Sequence, residues 1–416
     1  SSGLPFFQLG GYDGRAMATE GCPVASAEEA AAVGLDELPE DVSSRYEVSE
    51  RLGEGAYGIV VSAWKRRRHS GRRRRDAVAL KRCFGCADGG DFAALKRTYR
   101  EIAVLRQLAH EHIVALRGAV LPAGGPDLYL AFDLLTLDLD SAIRKGSLDS
   151  SHQPRITAQI LRALKYLHAA QLLHRDLKPA NVLLDMHFNV KLCDFGLVRL
   201  VGPYPRGLTE YVGMRWYRAP ELLVGSQRYS AGIDIWALGC VVAEMAMGRP
   251  VLLGASAAEQ LSLAVGLVLG RSPDEDEAFI TGEPDSVVAQ LMATRPEGPR
   301  LESKLGSVAS EDAVDFVRCC LRLSPDVRPS ALELLRHAFV DGHRVDELDF
   351  REPIELALRD EEAHPASKYL EALTQEVERV QKEGPRCSSA DSESEGSSDC
   401  STVSTGSCTS DRLAES

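Results

Sequence analysis

Residues 172–185 read LLHRDLKPANVLLD, and residues 190–196 read VKLCDFG. Both stretches place polar side chains directly beside short apolar runs. Transfer of a phosphoryl group needs a carboxylate that orients the attacking hydroxyl, a cation at the γ-phosphate and oxygen ligands for magnesium. The side chains that could supply this set are Asp176, Lys178, Asn181 and Asp194. The alternative is a set of solvated loop polars, which the coincidence of both stretches at this spacing disfavours.

A glycine-rich segment lies far upstream of these stretches. Residues 53–60 read GEGAYGIV, with glycine at Gly53, Gly55 and Gly58 between two runs typical of strands. Without a Cβ at these positions, backbone amides can come close to phosphate oxygens. A plain glycine turn in a β-hairpin remains an equal alternative. The segment differs from a dinucleotide-binding fingerprint because a strand, rather than a helix, follows it.

A lysine and a glutamate between these motifs complete the pattern. The β-rich run AVALK ends on Lys81, and residues 91–109 carry apolar side chains at helical spacing around Glu101. A lysine at the edge of a strand most often only extends its ammonium group into solvent. Together with the glycine-rich segment, however, Lys81 and Glu101 match a phosphate-holding ion pair.

The order of predicted elements defines the domain organisation. With 416 residues and 44% apolar side chains, the chain can bury a sizeable core. We expect an α+β fold with a small β-rich lobe at about residues 45–133 and a large helical lobe at about residues 134–340. Residues 1–44 are predicted to be a mobile extension, and 341–384 a second extension. Its stretch ASKYLEALTQEVERVQKEG (366–384) predicts an amphipathic helix that ends at Gly384–Pro385. Residues 385–416, rich in serine and acid, are predicted to be disordered.

Composition excludes several functional classes. The net charge of −13 argues against nucleic acid as the main partner. The sequence contains no run of 18 apolar residues, so no membrane span is predicted. The ten cysteines are interpreted as reduced thiols rather than a metal site. Residues 65–75, KRRRHSGRRRR, are strongly basic. That stretch could be a solvated loop, a nuclear-import signal or a docking site for an acidic partner.

With every motif in this order, the chain resembles a eukaryotic protein kinase over roughly residues 45–340. The resemblance implies that Asp234 braces the catalytic loop and that Arg328 pairs with Glu221 of the APE sequence. The form HRDLKPAN, with Lys178 two residues after Asp176, resembles serine/threonine kinases rather than tyrosine kinases.

Further sequences narrow the resemblance to mitogen-activated protein (MAP) kinases. They are GEGAYGIVVSA, RTYREIAVLRQLAHEHIVAL, DLYLAFDLLTLDLDSAI and TEYVGMRWYRAPELL. The Thr-Glu-Tyr triplet at 209–211 resembles the dual-phosphorylation motif of the branch regulated by extracellular signals.

The resemblance implies a role for each motif residue. Asp176 would orient the substrate hydroxyl, Lys178 would steady the transferred phosphoryl group, and Asn181 and Asp194 would bind Mg²⁺. Lys81, held by Glu101, would bind the phosphates of ATP below the glycine-rich segment. The implied nucleotide contacts are Leu52, Val60 and Ala79 above adenine, Leu183 below it, Asp133 and Leu135 at the hinge beside the gatekeeper Phe132, and Asp138 at the ribose.

The resemblance also implies a switch. A phosphate on Thr209, with a charge of about −1.5 to −2, could bind three arginines at once and join the two lobes. These are Arg100, Arg175 and Arg199. A phosphate on Tyr211 would pair with Arg215 and Arg218 and complete the pocket for a proline after the target residue. Alternatively, Arg218 has a purely structural role and does not bind a phosphate on Tyr211.

One position departs from the family pattern. MAP kinases carry Thr where this chain has Met214, and the Thr hydroxyl links the catalytic Asp and Lys. Methionine cannot donate that hydrogen bond, so we expect reduced but not abolished activity. A weakly active or inactive scaffold with the kinase fold is therefore the alternative function.

The remaining expectations concern partners and location. The resemblance implies protein substrates with Ser-Pro or Thr-Pro sites, an upstream dual-specificity MAP kinase kinase, phosphatases and a monomeric state. Asp346, Glu347 and Asp349 are candidates to hold basic docking peptides, or else form a solvated acidic turn. A cytoplasmic location, with possible access to the nucleus, is expected.

Overall fold

The computed structural model describes residues 38–55, 58–66, 76–87, 90–200, 214–226, 230–268, 300–343, 354, 356–358 and 364–384. Several predicted features lie outside the described residues. They are the phosphorylation candidates Thr209 and Tyr211, the docking candidates Asp346, Glu347 and Asp349, most of the basic stretch, the first 37 residues and the tail 385–416.

The predicted small lobe is a five-stranded antiparallel sheet. Its strands are β1 (Tyr46–Gly55), β2 (Gly58–Lys65), β3 (Ala77–Cys83), β4 (Leu116–Val120) and β5 (Leu128–Asp133), in the spatial order β1-β2-β3-β5-β4. A short helix, α1 (Glu40–Ser43), precedes the sheet. The longer helix α2 (Phe92–Leu105) lies between β3 and β4 in the chain. It is shorter than the predicted span of 91–109.

The alternation of side chains along the strands explains how the sheet is buried on both faces. Ile59, Val61 and Leu80 join one apolar cluster that stays within the small lobe. Their neighbours Val60 and Ala79 point the other way and belong to the large core shared with the helical lobe. One face of the sheet therefore packs within the small lobe, and the other face packs into the core shared with the helical lobe.

The large lobe is mostly helical, as predicted. Its helices are α3 (Leu139–Arg144), α4 (His152–Ala169), α5 (Pro220–Leu223), α6 (Gly232–Met247), α7 (Ala257–Val268), α8 (Leu301–Leu305), α9 (Glu311–Cys320) and α10 (Ala331–Leu334). Helix α6 is buried from Gly232 to Met245. A helix that is apolar nearly all round must lie inside the domain, so α6 forms the centre of this lobe.

Two small sheets carry the motif residues. Strands β6 (Leu137–Asp138), β8 (Val182–Leu184) and β9 (Val190–Leu192) form one, and β7 (Leu172–Leu173) pairs with β10 (Arg199–Leu200) in the other. The polar run of the first quoted stretch lies between β7 and β8, and Asp194 follows β9. The pairing of β8 with β9 thus brings both quoted stretches side by side.

The N-terminal boundary needs a correction. The predicted mobile extension 1–44 includes α1, whose Val42 is fully buried in the apolar cluster of the small lobe. Asp41 also accepts a hydrogen bond from the backbone N–H of Ala123. The folded unit therefore begins before residue 45. Four residues are too few to show a helical period in the sequence, which explains the error.

The predicted C-terminal helix is present as α11 (Ala366–Glu383). It ends at Gly384, whose φ of 71° lies in the left-handed region that glycine adopts without strain. Among the described residues, no helix has both the length and the hydropathy required to cross a membrane.

Candidate active site

The loop between β7 and β8 places three predicted side chains together. Oδ2 of Asp176 accepts hydrogen bonds from Lys178 Nζ at 2.6 Å and from Asn181 Nδ2 at 2.9 Å. Its Oδ1 accepts none from the part of the chain that the structure describes. The carboxylate is therefore fixed through one oxygen, while the other remains able to accept a proton.

Asp234, on the buried helix α6, holds the backbone of this loop. Its two carboxylate oxygens accept the backbone N–H groups of His174 and Arg175, both at 2.9 Å. Arg175 has a φ of 67°, which is unfavourable for a residue with a side chain. The two hydrogen bonds stabilise that backbone conformation, so the predicted bracing contact is confirmed.

The residues predicted to bind magnesium fit a hard cation. Asn181 is fully buried, and its amide oxygen Oδ1 has no hydrogen-bond partner within the described residues. Leaving a buried carbonyl oxygen unsatisfied is costly, and a cation would satisfy it. Asp194 adds a carboxylate from the end of β9. Carboxylate and amide oxygens are the ligands that Mg²⁺ prefers.

The predicted ion pair between Lys81 and Glu101 is present. Lys81 Nζ lies 2.8 Å and 3.1 Å from the two carboxylate oxygens of Glu101, and both residues are buried. Burial alone would lower the pKa of Lys81, but the carboxylates of Glu101 and Asp194 raise it above its ordinary value. Lys81 therefore stays charged in a buried site.

Several cationic side chains interact electrostatically with Asp194. Burial alone would raise its pKa, but Lys81, Lys178 and Arg97 reverse that effect and hold the pKa below its ordinary value. The ionised form, which can bind a metal ion, is thereby favoured.

Four predicted adenine contacts belong to one apolar core. Leu52, Val60 and Ala79 from β1–β3 and Leu183 from β8 are all buried members of the same apolar core. Phe132, the predicted gatekeeper, belongs to the same cluster and is paired with Ala79 across β3 and β5. These residues of both lobes thus share one apolar core, and their contact with adenine stays a prediction.

Asp133, predicted at the hinge, and Asp138, predicted at the ribose, both have structural partners. Asp133 binds Arg117 Nε and accepts the backbone N–H of Ala115. Asp138 is fully buried and caps α3, accepting the N–H and the hydroxyl of Ser141 at 2.6 and 3.0 Å. The structure therefore assigns Asp138 to a helix N-cap. Its ribose contact, and the hinge contacts of Asp133 and Leu135, stay predictions.

The glycine-rich segment forms the end of the β1–β2 hairpin. Gly55 pairs with Gly58, and Gly53 with Val60. A Cβ on Gly58 would lie 2.0 Å from the carbonyl oxygen of Arg82. Close packing on β3 thus requires a glycine at this position, independently of any phosphate.

Three predicted phosphate-binding arginines converge on the segment after Asp194. Arg100 donates to the carbonyl oxygen of Gly196 at 2.6 Å, Arg175 to that of Leu197 at 3.3 Å, and Arg199 to that of Val198 at 3.3 Å. These arginines come from α2, the catalytic loop and β10. The backbone carbonyls of Gly196 and Leu197 therefore link α2 of the small lobe to the loop that carries Arg175, while the hydrogen bond from Arg199 goes to its own neighbour in the chain.

The segment before α5 contains the departure from the family pattern. Met214 precedes the short 3-10 helix Arg215–Tyr217, is partly buried against the core and lines a small cavity with Asp176. Arg215 donates to the carbonyl oxygen of Ala255. Pairing of Arg215 and Arg218 with Tyr211 stays a prediction, since Tyr211 lies outside the described residues.

A buried ion pair anchors the same segment to the large lobe. Arg328 forms two parallel hydrogen bonds to Glu221, at 2.6 and 2.7 Å, as the resemblance predicted. Nearby, the hydroxyl of Tyr217 donates to Glu244 Oε2 at 2.7 Å. Burial raises the pKa of Glu244 to about 7. No motif in the sequence predicted this second contact.

Sequence reasoning also missed Arg97. This residue lies four positions before Glu101, so both side chains point from the same face of α2. A Cβ on Gly196 would lie 2.4 Å from Arg97 Cγ, so the arginine stem covers that glycine. The four-residue spacing from Glu101 was the available signal.

Comparisons with known proteins agree with this geometry. The family model described as "Protein kinase domain" matches residues 46–340. Mitogen-activated protein kinase 15 of Rattus norvegicus is 39% identical over 311 residues, covering 73% of this chain and 55% of the rat protein. Extracellular signal-regulated kinase 2 of Dictyostelium discoideum is 35% identical over 357 residues, covering 84% of this chain and 94% of that protein. Mitogen-activated protein kinase mpkC of Aspergillus clavatus is 37% identical over 300 residues, covering 72% of this chain and 75% of that protein.

The chain therefore belongs to the protein kinase family. Within that family it is a member of the MAP kinases, of the group that also includes the cyclin-dependent kinases. It spans little more than half the length of the rat and mouse relatives, 55% and 58%.

Proposed function

We propose that this chain transfers the γ-phosphoryl group of ATP to serine or threonine hydroxyls of protein substrates. One observation carries the proposal. Asp176, fixed through one oxygen by Lys178 and Asn181, lies beside Asp194 and the buried Lys81–Glu101 pair. Burial of charged groups costs free energy, so this combination is not expected in an ordinary solvated loop.

Each side chain then has a role in an in-line displacement. Oδ1 of Asp176 accepts the proton of the substrate hydroxyl as its oxygen attacks the γ-phosphorus. The bond between that phosphorus and the β–γ bridging oxygen breaks, and ADP keeps the electron pair. Lys178 stabilises negative charge on the transferred group, and Lys81 holds the α- and β-phosphates.

Asn181 Oδ1 and Asp194 would hold Mg²⁺. The ion supplies charge neutralisation on the phosphates when it is bound. The amide oxygen of Asn181, which has no partner among the residues that the structure describes, and the lowered pKa of Asp194 support this assignment.

Activation by phosphorylation of Thr209 and Tyr211 is part of the proposal. The three arginines that meet the backbone of residues 196–198 would bind the phosphate on Thr209, because guanidinium groups bind phosphate oxygens in pairs. The upstream enzyme would be a dual-specificity MAP kinase kinase, and phosphatases would reverse the step. The chain would thus act within a phosphorylation cascade.

Substrates with a proline after the target residue are proposed from the family resemblance. Asp346, Glu347 and Asp349 would attract basic docking segments of such partners. We propose a monomer that works in the cytoplasm, with access to the nucleus through the basic stretch at residues 65–75.

Met214 supports a second candidate function. Without a hydroxyl at this position, the chain would be a weak enzyme that acts chiefly as a scaffold. The retained set of Lys81, Glu101, Asp176, Asn181 and Asp194 favours the catalytic function.

Phosphate transfer to a Ser-Pro or Thr-Pro peptide tests the two candidates. The chain is first treated with an active MAP kinase kinase, and Lys81→Met serves as the control. We expect transfer at least tenfold above that control, which corresponds to about 1.4 kcal/mol of barrier. Transfer equal to the control would leave only the scaffold.

A further inference from the structure

Helix α11 lies outside the matched family region and packs along α2. Its buried side chains are Tyr369, Leu373, Glu376, Val377 and Val380. Beyond the apolar contact, Gln381 donates to the carbonyl oxygen of Ala119 on β4. The C-terminal extension is thereby attached to the small lobe.

Two residues of α2 and its C-cap contact the C-terminal extension along one line. Phe92, Tyr99 and Arg106 are spaced by seven, which places them on one face of the helix and its C-cap. The ring of Tyr369 meets those of Phe92 and Tyr99 edge-on, each at 5.6 Å between centroids. The hydroxyl of Tyr99 accepts the N–H of Leu358 from the same extension.

At the C-terminal end of α2, the contact with α11 is made by the buried carboxylate of Glu376. Glu376 accepts a hydrogen bond of 2.6 Å from Arg106 Nε and one of 2.5 Å from Arg379. Arg106 also reaches Glu383 at 3.2 Å. The side chain of Glu376 is only 5% exposed, so removal of its charge would leave Arg106 without its closest partner.

Glu101 projects from the opposite side of α2. Two residues after Tyr99, it is rotated by about 200° around the helix axis. Helix α2 is therefore contacted on two sides. Lys81 and the backbone of Gly196 hold one face, while Tyr369 and Glu376 hold the other. A shift of α2 toward α11 or away from it would move Glu101 relative to Lys81.

We propose that Glu376 and Tyr369 are positioning residues, which hold α2 through Arg106 and Tyr99 so that Glu101 meets Lys81. This inference rests on the proposed function, because it assigns the extension a part in ATP binding and phosphoryl transfer. Neither residue touches a reacting atom.

Hydrogen exchange and ATP binding by the full chain test the proposal. In Glu376→Gln, we expect exchange of the α2 amides to accelerate roughly tenfold relative to those of α4. Affinity for Mg-ATP, measured by calorimetry, should fall about fivefold, which is about 1 kcal/mol. Glu378→Gln is the matched control, because Glu378 is exposed on α11 and pairs with Lys382.

A double-mutant cycle separates positioning from general stability. Arg106→Gln and the double variant should resemble Glu376→Gln, because either change breaks the same contact. If Glu376→Gln does not fold, Tyr369→Leu gives a second measurement, since it removes the ring contacts and keeps an apolar side chain. Equal acceleration in α2 and α4, or unchanged ATP affinity, would overturn the proposal.

These readouts do not depend on phosphate transfer. If the parent chain transfers no phosphate, the proposed function fails while the exchange result still decides whether α11 holds α2. In an active parent, the loss should appear in the KM for ATP more than in kcat. A loss in kcat alone would contradict positioning through Lys81.

Discussion

Lys178 Nζ lies 2.6 Å from Oδ2 of Asp176, so the proposed phosphate-binding cation contacts the proposed base directly. Burial alone would lower the pKa of Lys178, but Asp176 and Asp194 raise it. Lys178 is thus charged before substrate binds, and its hydrogen bond to Asp176 needs no bridging hydroxyl. This contact explains how the site can be organised with methionine at position 214.

Met214→Thr should raise kcat by roughly three- to tenfold with little change in the KM for ATP. The added hydroxyl can hydrogen-bond to Asp176 or Lys178 in the active loop, and such bonds contribute about 1 kcal/mol. Steady-state kinetics on the activated protein measure it. Met214→Leu is the control, since it changes shape without adding a donor. An equal gain in both variants would assign the effect to side-chain volume.

Asn181→Ala should lower kcat by roughly a hundredfold and increase the Mg²⁺ concentration needed for half-maximal rate. The variant removes the amide oxygen that has no partner among the described residues, together with the hydrogen bonds from Nδ2 to the backbone oxygen and to Oδ2 of Asp176. Titration of the transfer rate with Mg²⁺ measures both effects. Asn189→Ala, on the β8–β9 turn, provides the comparison. An unchanged Mg²⁺ requirement in Asn181→Ala would exclude Asn181 as a ligand.

Arg328→Met should lower the free energy of unfolding by about 3–5 kcal/mol, because it leaves the buried Glu221 carboxylate without its partner. Denaturant unfolding measures the change. Arg318→Met is the surface counterpart, and its exposed ion pairs should be worth about 0–1 kcal/mol.

The double variant Arg328→Met, Glu221→Leu should recover part of the loss, since no buried charge is left unpaired. The recovery should be incomplete because Arg328 also donates to the carbonyl oxygens of Arg322, Gly232 and Leu323. A double variant that is less stable than Arg328→Met would contradict the charge argument.

Stability should fall as pH rises through the titration range of Glu244. Its pKa moves from 4.5 to about 7 on burial, so between these values the folded state binds more protons than the unfolded state. The free energy of unfolding therefore decreases from about pH 4.5 to 7, by about 3 kcal/mol at most, and this contribution is constant above pH 7. Melting temperatures of Glu244→Gln should lack this component. Glu371→Gln, on the exposed surface of α11, should retain it.

The catalytic loop could be predicted well because its contacts are local. Asp176, Lys178 and Asn181 lie within six residues, and the loop geometry alone brings them together. Asp138 shows the limit of such reasoning, since a motif position can also be a helix start. Its carboxylate accepts the backbone N–H and the hydroxyl of Ser141 in the first turn of α3 and is buried in doing so.

Contacts between distant segments outside the family motifs left no sequence signal. Arg106 and Glu376 are 270 positions apart, and each alone is an ordinary charge on a helix. The amphipathic pattern of residues 366–383 predicted the helix but not the surface that it covers. Val42 and Glu244 were missed for the same reason, because burial depends on what packs against a side chain.

The location of α11 sets the smallest unit that can fold independently. A protein cut after residue 343 would keep every motif of the matched region. It would, however, expose Tyr99 and leave Arg106, at the end of α2, without its partner Glu376. The exposed apolar line would promote self-association. Expression and crystallisation of this kinase therefore call for boundaries near residues 38 and 384, well beyond those that the catalytic motifs suggest.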